Sequence, residues 1–181
     1  EVSENGKKQL DLLSVRLRNT KLDAMVSSPL LRARQTAEAV NRFHHLPVET
    51  YQDLIEIDGG DYNGTLWDDL PVRFPEQNER WYRDPANFEA PHGETMRQVY
   101  DRIWRGILSV VHDHRGQTIC VVSHGCAIRN LICRLLYGSI DHLNETPWSD
   151  NTGINVLEFT DDDQARIVLL NDAAHLTPET S

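Results

Sequence analysis

Apolar residues follow two patterns along this chain: a helical spacing in the longer segments, and short, nearly continuous runs between them. In residues 95–112 an apolar residue recurs at every fourth position, which predicts an amphipathic helix. Residues 118–123 are almost wholly apolar and only strand-sized, which is typical of a strand buried in a parallel sheet. Because strands alternate with helices along the chain, the pattern predicts an α/β fold.

The same patterns, and the turn residues between them, place the other elements. Helices are also predicted at residues 2–19, 28–43 and 126–137. Ser3 is the predicted cap of the first of these, and Ser28 of the second, with Pro29 at the first helical position. Strands are also predicted at residues 22–27, within 48–57, and in a final hairpin of residues 155–160 and 165–171.

Residues 58–89 interrupt both patterns because glycines and prolines are frequent there. The composition predicts short helices that rest on the main body. We interpret residues 1–181 as a single domain, in which residues 58–92 form an excursion that covers the site as a lid.

Charge and cysteine usage narrow the classes of function. The 181 residues carry a formal net charge of −10 and no dense Lys/Arg cluster, which argues against nucleic acid and anionic membrane surfaces as partners. The sequence holds no apolar run long enough to predict a membrane-spanning helix. Cys120, Cys126 and Cys133 are odd in number, lie in apolar surroundings and lack a zinc spacing, so we expect reduced, buried thiols in a cytoplasmic protein.

Two segments carry residues suited to chemistry on an anion. In the first, VVSHG at residues 121–125, His124 follows a strand and Gly125 opens a helix. Glycine lets a ligand approach the backbone closely, and the N–H groups of the helix start favour an anion. The alternative is a core histidine in a turn, and these residues alone leave both interpretations open.

The second segment, SSPLLRARQTA at residues 27–37, repeats the order of strand end, cap and helix. Arg32 falls in the first helical turn, from which its guanidinium can fork toward an anion at the same edge of the sheet. Solvated helix charge is the alternative for both arginines of this segment, and we accept it for Arg34.

Five segments in order resemble the histidine phosphatase superfamily, also called phosphoglycerate-mutase-like. Besides the two segments above, they are LIEIDGGDYNG at 54–64, HGET at 92–95 and NDAAHL at 171–176. The resemblance implies a three-layer α/β sandwich, in which helices flank a mostly parallel central sheet. It also implies hydrolysis of a phosphomonoester of a small metabolite through a phosphohistidine.

Site residues carry over from the family position by position. Arg32 matches a phosphate-binding arginine, and His124 matches the second histidine, which also contacts the phosphate, with Gly125 beside it. Glu56 matches the general acid that protonates the leaving oxygen. The resemblance implies no metal and no cofactor. A small-molecule phosphate ester is the expected partner, and a homodimer is a possible assembly.

The nucleophile of the family lies in an Arg-His-Gly motif at the end of a first strand, which should come before residues 3–9. This chain starts after that point, and without the motif it should not transfer phosphoryl groups. We expect the segment to precede Glu1, because losing a strand that is central in the family's sheet would leave unpaired backbone. A truncated product and a non-catalytic phosphate- or partner-binding pseudoenzyme are the alternatives.

Within the family the sequence favours the short phosphatase branch. A phosphoglycerate-type mutase is the other alternative, but mutases carry a Glu-Arg-His-Tyr-Gly motif where this chain has EIDGG at residues 56–60. Trp67, Trp81 and Tyr82 in the excursion could enclose a leaving group. We expect at least two of these three rings to anchor the excursion instead. Arg73 and Arg83 could touch a second anionic group, although surface charge is the simpler role for each.

Overall fold

The computed structural model describes residues 2–180. Its six α-helices are α1 (Glu4–Leu17), α2 (Leu31–Asn41), α3 (Leu70–Arg73), α4 (Pro75–Arg83), α5 (Met96–Asp113) and α6 (Gly125–Tyr137). Its five strands are β1 (Ala24–Ser27), β2 (Val48–Thr50), β3 (Ile119–Val122), β4 (Ile154–Phe159) and β5 (Ala165–Asp172). Each predicted element is therefore present, and the α/β class is confirmed.

The strands form two separate sheets. A three-stranded parallel sheet has the order β2-β1-β3, and the hairpin of β4 and β5 forms an antiparallel pair. The expected final hairpin is thus confirmed. The parallel pairing of β3 is confirmed too, but its four residues are half-buried and not fully buried, because among residues 2–180 this strand pairs with β1 alone.

Helices cover both faces of the parallel sheet, which gives three layers. Successive residues of β1 point to opposite faces: Met25 packs with the cluster of α1 and α2, and Val26 with the cluster of α5 and α6. Both side chains are fully buried. Burial of all four residues of β1 fixes this strand as the centre of the domain, so the residues that follow it are held firmly.

Of the two helix caps predicted from the sequence, one is confirmed and the other is wrong. Ser3 caps α1 as expected, because its hydroxyl accepts a hydrogen bond from the amide of Gly6 at 3.1 Å. The predicted cap at Ser28 is wrong: α2 begins at Leu31, and Leu30 occupies the cap position without a side-chain bond. Pro29 accordingly lies before the helix and not at its first position.

The segment between β2 and α5 is built of short helices, as its composition predicts. Four 3₁₀ helices, at Gln52–Leu54, Gly60–Tyr62, Trp67–Asp69 and Pro85–Asn87, accompany α3 and α4. Within residues 2–180, every helix is too short or too polar to cross a membrane. In the same part of the chain, His, Cys, Asp and Glu side chains form no group of three arranged to hold a metal ion.

Candidate active site

His124 lies at the carboxyl end of β3, where it takes the cap position of α6. Its side chain is only 5% exposed, and Nε2 lies 2.8 Å from the Ser28 hydroxyl. Burial, which is the largest cause, and the nearby positive charges of Arg32 and Arg102 together lower the pKa of His124 to about 4. His124 is therefore a neutral, hydrogen-bonded imidazole at pH 7.

Ser28 has this role because the parallel strands β1 and β3 end at the same edge of the sheet. Its hydroxyl also accepts a bond from the Leu30 amide at 3.3 Å. The residue expected to cap a helix instead orients an imidazole on the neighbouring strand. Such a pairing across 96 positions of sequence has no local signal.

Arg32 lies in the first turn of α2, as the sequence predicts, and its side chain is exposed. Its charge acts on the His124 imidazole strongly enough to lower that pKa. Because β1 and β3 are parallel neighbours, with Ser27 opposite Val122, Arg32 and His124 follow them at the same edge of the sheet. Arg34 is exposed beside Glu38 at 3.8 Å, in line with the solvated role expected for it.

Glu56 is half-buried, and its carboxylate accepts three backbone hydrogen bonds. The donors are the amides of Cys126 at 3.1 Å, Ala127 at 3.1 Å and Ile57 at 3.0 Å. Two of these amides belong to the first turn of α6, where a carboxylate also suits the helix dipole. The expectation that the N–H groups of this helix start are free for a ligand is therefore wrong for Cys126 and Ala127.

Gly125 is exposed at the first position of α6, next to His124. A Cβ built there would meet only the ring of Trp148, at an ordinary contact distance of 3.6 Å. The surrounding protein therefore does not require a glycine here. Both Gly125 and Glu56 line the same cavity, so a side chain at position 125 would narrow the space beside Glu56.

A cavity of about 610 Å³ opens between this edge of the sheet and residues 58–92. Glu56 and Gly125 form part of its wall, and six of the other lining residues are aromatic: Tyr62, Trp67, Trp81, Tyr82, Phe88 and Trp148. Trp81 is half-buried and packs edge-on against Phe88 with ring centroids 4.8 Å apart. Trp67 and Tyr82 are 64% and 63% exposed. Of the three rings Trp81 alone packs against the core, so the expectation that at least two of them anchor the excursion is wrong.

Comparison with known proteins finds one matching family model and a relative similar over nearly the whole chain. The family model of the histidine phosphatase superfamily (branch 1) matches residues 1–173. A relative, phosphoserine phosphatase 1 of Hydrogenobacter thermophilus, is 34% identical over 97% of this chain and 82% of its own length.

The chain belongs to the histidine phosphatase superfamily.

Solved structures agree with this histidine phosphatase assignment. YhfR of Bacillus stearothermophilus superposes with a TM-score of 0.90 at 26% identity, over 96% of this chain and 85% of that one. The alpha-ribazole phosphatase of Shigella flexneri shares the fold, with a TM-score of 0.83 at 24% identity, over 95% of this chain and 84% of that one. Some relatives are much longer: the chain spans 42% of the bifunctional protein Rv2228c of Mycobacterium tuberculosis, at 32% identity.

In this histidine phosphatase, a buried ion pair that the sequence analysis missed holds the Glu56 segment. Arg102 on α5 donates two bonds of 2.8 Å to the Glu94 carboxylate. The same guanidinium donates to the carbonyls of Asp53 and Ile55 at 2.9 Å each, and to that of Glu56 at 3.3 Å. An arginine on the apolar face of a helix, three residues after Val99, is the signal that could have found it.

A second arginine that the sequence analysis missed supports Trp148, which lines the cavity. Arg129 on α6 is buried, and its guanidinium stacks 4.5 Å from the centre of the Trp148 ring. It also donates to the carbonyls of Thr146 at 2.8 Å and Leu143 at 2.7 Å. Trp148 lies in an irregular stretch without periodicity, so its position beside Gly125 could not be predicted.

The three cysteines agree with the expectation of reduced thiols. All three are free, and burial raises the pKa of Cys120 to about 11.

Proposed function

We propose that this histidine phosphatase hydrolyses the phosphomonoester of a small metabolite through a phosphohistidine intermediate. The convergence of Arg32, His124 and Glu56 on one edge of the sheet carries the proposal. His124 and Arg32 come from the ends of neighbouring strands, and Glu56 bonds the helix turn that directly follows His124. Arg32 and His124 bind the phosphate, with Gly125 leaving room beside them, and Glu56 is the general acid.

We place the nucleophilic histidine in a strand that precedes Glu1 in the complete protein. Two observations support this. Among the described residues, β3 pairs only with β1, and β4 pairs only with β5. Yet apolar residues of both strands border the same core clusters, Val121 with Leu157 on one face and Val122 with Ile154 on the other. A strand inserted between β3 and β4 would end beside His124, at the edge where Arg32 also lies.

The proposed reaction has two steps. In the first, a nitrogen of the nucleophilic histidine forms a bond to phosphorus as the bond from phosphorus to the alcohol oxygen breaks, and Glu56 gives that oxygen its proton. In the second, water attacks phosphorus, its proton passes to Glu56, and the phosphorus–nitrogen bond breaks. Arg32 and the N–H of His124 stabilise the charge on the phosphoryl oxygens in both steps.

Residues 58–92 act as a lid in this proposal, because they supply most of the aromatic wall of the cavity next to Glu56. We also propose a cytoplasmic enzyme, supported by three free thiols that form no disulfide. The homodimer stays a prediction.

The experiment is steady-state hydrolysis of an aryl phosphate by the complete protein, starting at its natural N-terminus. We expect His124→Ala to lower kcat at least about 100-fold, since a preorganised donor to a developing charge is lost. The matched control is His112→Ala, an exposed histidine paired with Asp163 at 2.9 Å, which should keep wild-type kcat.

Trapping the intermediate completes the test. Quenched wild-type enzyme should carry an acid-labile phosphohistidine in the peptide N-terminal to Glu1. Unchanged activity of His124→Ala would overturn the proposal. Phosphate binding without turnover would support the pseudoenzyme alternative, and transfer between sugar-acid hydroxyls faster than to water would support a mutase.

A further inference from the structure

The geometry points to a substrate class: we propose that the alcohol of the phosphate ester is a flat, uncharged ring system, held by aromatic stacking in the cavity beside Glu56. The inference rests on the proposed function, because it takes Glu56 as the group that protonates the leaving oxygen. It goes further by naming what the leaving oxygen is attached to.

The position of Glu56 fixes where the alcohol lies. Its carboxylate is part of the cavity wall, whereas His124 and Arg32 lie outside the cavity on the sheet side. A phosphate held by His124 and Arg32 has its ester oxygen toward Glu56, so the carbon skeleton on that oxygen extends into the cavity. A volume of about 610 Å³ is ample for one or two fused rings.

The lining of the cavity selects against a second anionic group. Among the described residues that line it, Glu56 alone has a formal charge. Two arginines contact residues of the wall without lining the cavity themselves: Arg129 donates to two buried carbonyls, and Arg73 donates to the Thr65 hydroxyl at 2.8 Å. A carboxylate on the alcohol, as in an amino acid or a sugar acid, would lose water here without gaining a cationic partner.

The lining instead offers ring faces. Trp81 lies between two other indoles, with centroids 6.2 Å from Trp67 and 6.2 Å from Trp148. Trp67 and Tyr82 keep most of their surface exposed, so their faces are available for stacking. Aromatic walls also suit a quaternary ammonium group, but such a group needs far less space than this cavity provides. A flat ring therefore fits both the chemistry and the size.

The test compares three esters of primary alcohols, so that the leaving oxygen is of the same kind in each. The complete enzyme is assayed with benzyl phosphate, O-phosphoserine and phosphocholine. We expect kcat/KM for benzyl phosphate to exceed the other two by at least about tenfold, the factor that one good stacking contact provides. Trp67→Ala and Tyr82→Ala should each reduce that advantage about tenfold, chiefly through KM.

Matched controls come from the same excursion. Leu66 and Val72 are 72% and 83% exposed and do not line the cavity, so Leu66→Ala and Val72→Ala should leave all three kcat/KM values unchanged. Preference for phosphoserine or phosphocholine, with activity still abolished by His124→Ala, would overturn this inference and leave the proposed function intact. An advantage for benzyl phosphate that survives both aromatic substitutions would also overturn it. Absence of hydrolysis of all three esters would overturn both this inference and the proposed function.

Discussion

At the scale of single residues, His124 couples the stability of the fold to pH. Its pKa is about 4 in the folded protein, against about 6.5 in an unfolded chain, because burial and two arginines disfavour the charged imidazole. Below pH 6.5 the unfolded chain therefore binds a proton that the folded protein does not. The stability contributed by neutral His124 is complete above pH 6.5 and declines as the pH falls from about 6.5 to about 4.

We expect this residue to account for about 2 kcal/mol of lost stability between pH 7.5 and pH 5.0. Urea unfolding of His124→Gln should show a pH dependence weaker by that amount than wild type. His142→Gln is the control, because that histidine is nearly half exposed beside Glu145, at 3.0 Å. An equal pH dependence in wild type and His124→Gln would show that the pKa of His124 is the same in the folded and the unfolded protein.

The residue scale also shows where sequence reasoning succeeds. Arg32 and His124 were singled out from the strand end and helix start beside each, and the structure places both residues at such ends. Glu56 had no such local signal and was predicted only from the resemblance of residues 54–64 to a family segment. Ser28 was assigned the wrong partner because a hydroxyl before a helix can serve a cap or a neighbouring strand equally well, and only the register of β1 with β3 decides between them.

At the scale of elements, the Arg102–Glu94 pair ties α5 to the segment that carries Glu56. Both side chains are mostly buried, and Arg102 also satisfies three carbonyls of that segment. Arg102→Met should therefore cost about 3–5 kcal/mol of unfolding free energy, because it leaves the Glu94 carboxylate and the carbonyls without a donor. It should also lower activity, since Glu56 loses its fixed position.

A matched control lies on the same helix. Arg97 pairs with Asp141 at 3.0 Å, but both side chains are more than half exposed, so Arg97→Met should cost less than about 1 kcal/mol. Urea unfolding and hydrolysis assays of the two variants would decide the matter. Similar losses from both would mean that Arg102 contributes only as a surface charge does.

Elements were predicted well where periodicity or capping chemistry is local. Thr95 caps the start of α5, where its hydroxyl and the Gln98 side chain form a reciprocal capping box, and Gly138, with φ +73°, caps the end of α6. The order of short helices in residues 58–92 could not be predicted, because it is set by contacts among rings such as Tyr62 and Phe74, 5.0 Å apart.

At the scale of the whole molecule, alternating strands and helices were enough to predict the α/β class, and the resemblance to the family added the three layers. They could not predict the division into two sheets, because the sequence of an apolar strand does not specify which other strand it pairs with. The half-buried β3 is the visible result: it has the composition of a central strand, and among residues 2–180 it has a strand neighbour on one side only.

This division yields a prediction for the complete protein. If the proposed nucleophile strand lies between β3 and β4, amides on their facing edges are hydrogen-bonded and should exchange with solvent as slowly as those of buried β1. Strand β2, with three residues at the opposite edge of the parallel sheet, is the internal control and should exchange fast. Hydrogen exchange measured by mass spectrometry on the protein with its natural N-terminus shows whether the β3 and β4 amides exchange slowly or fast. Exchange of β3 and β4 as fast as that of β2 would contradict a central strand, and with it the placement of the nucleophile beside His124.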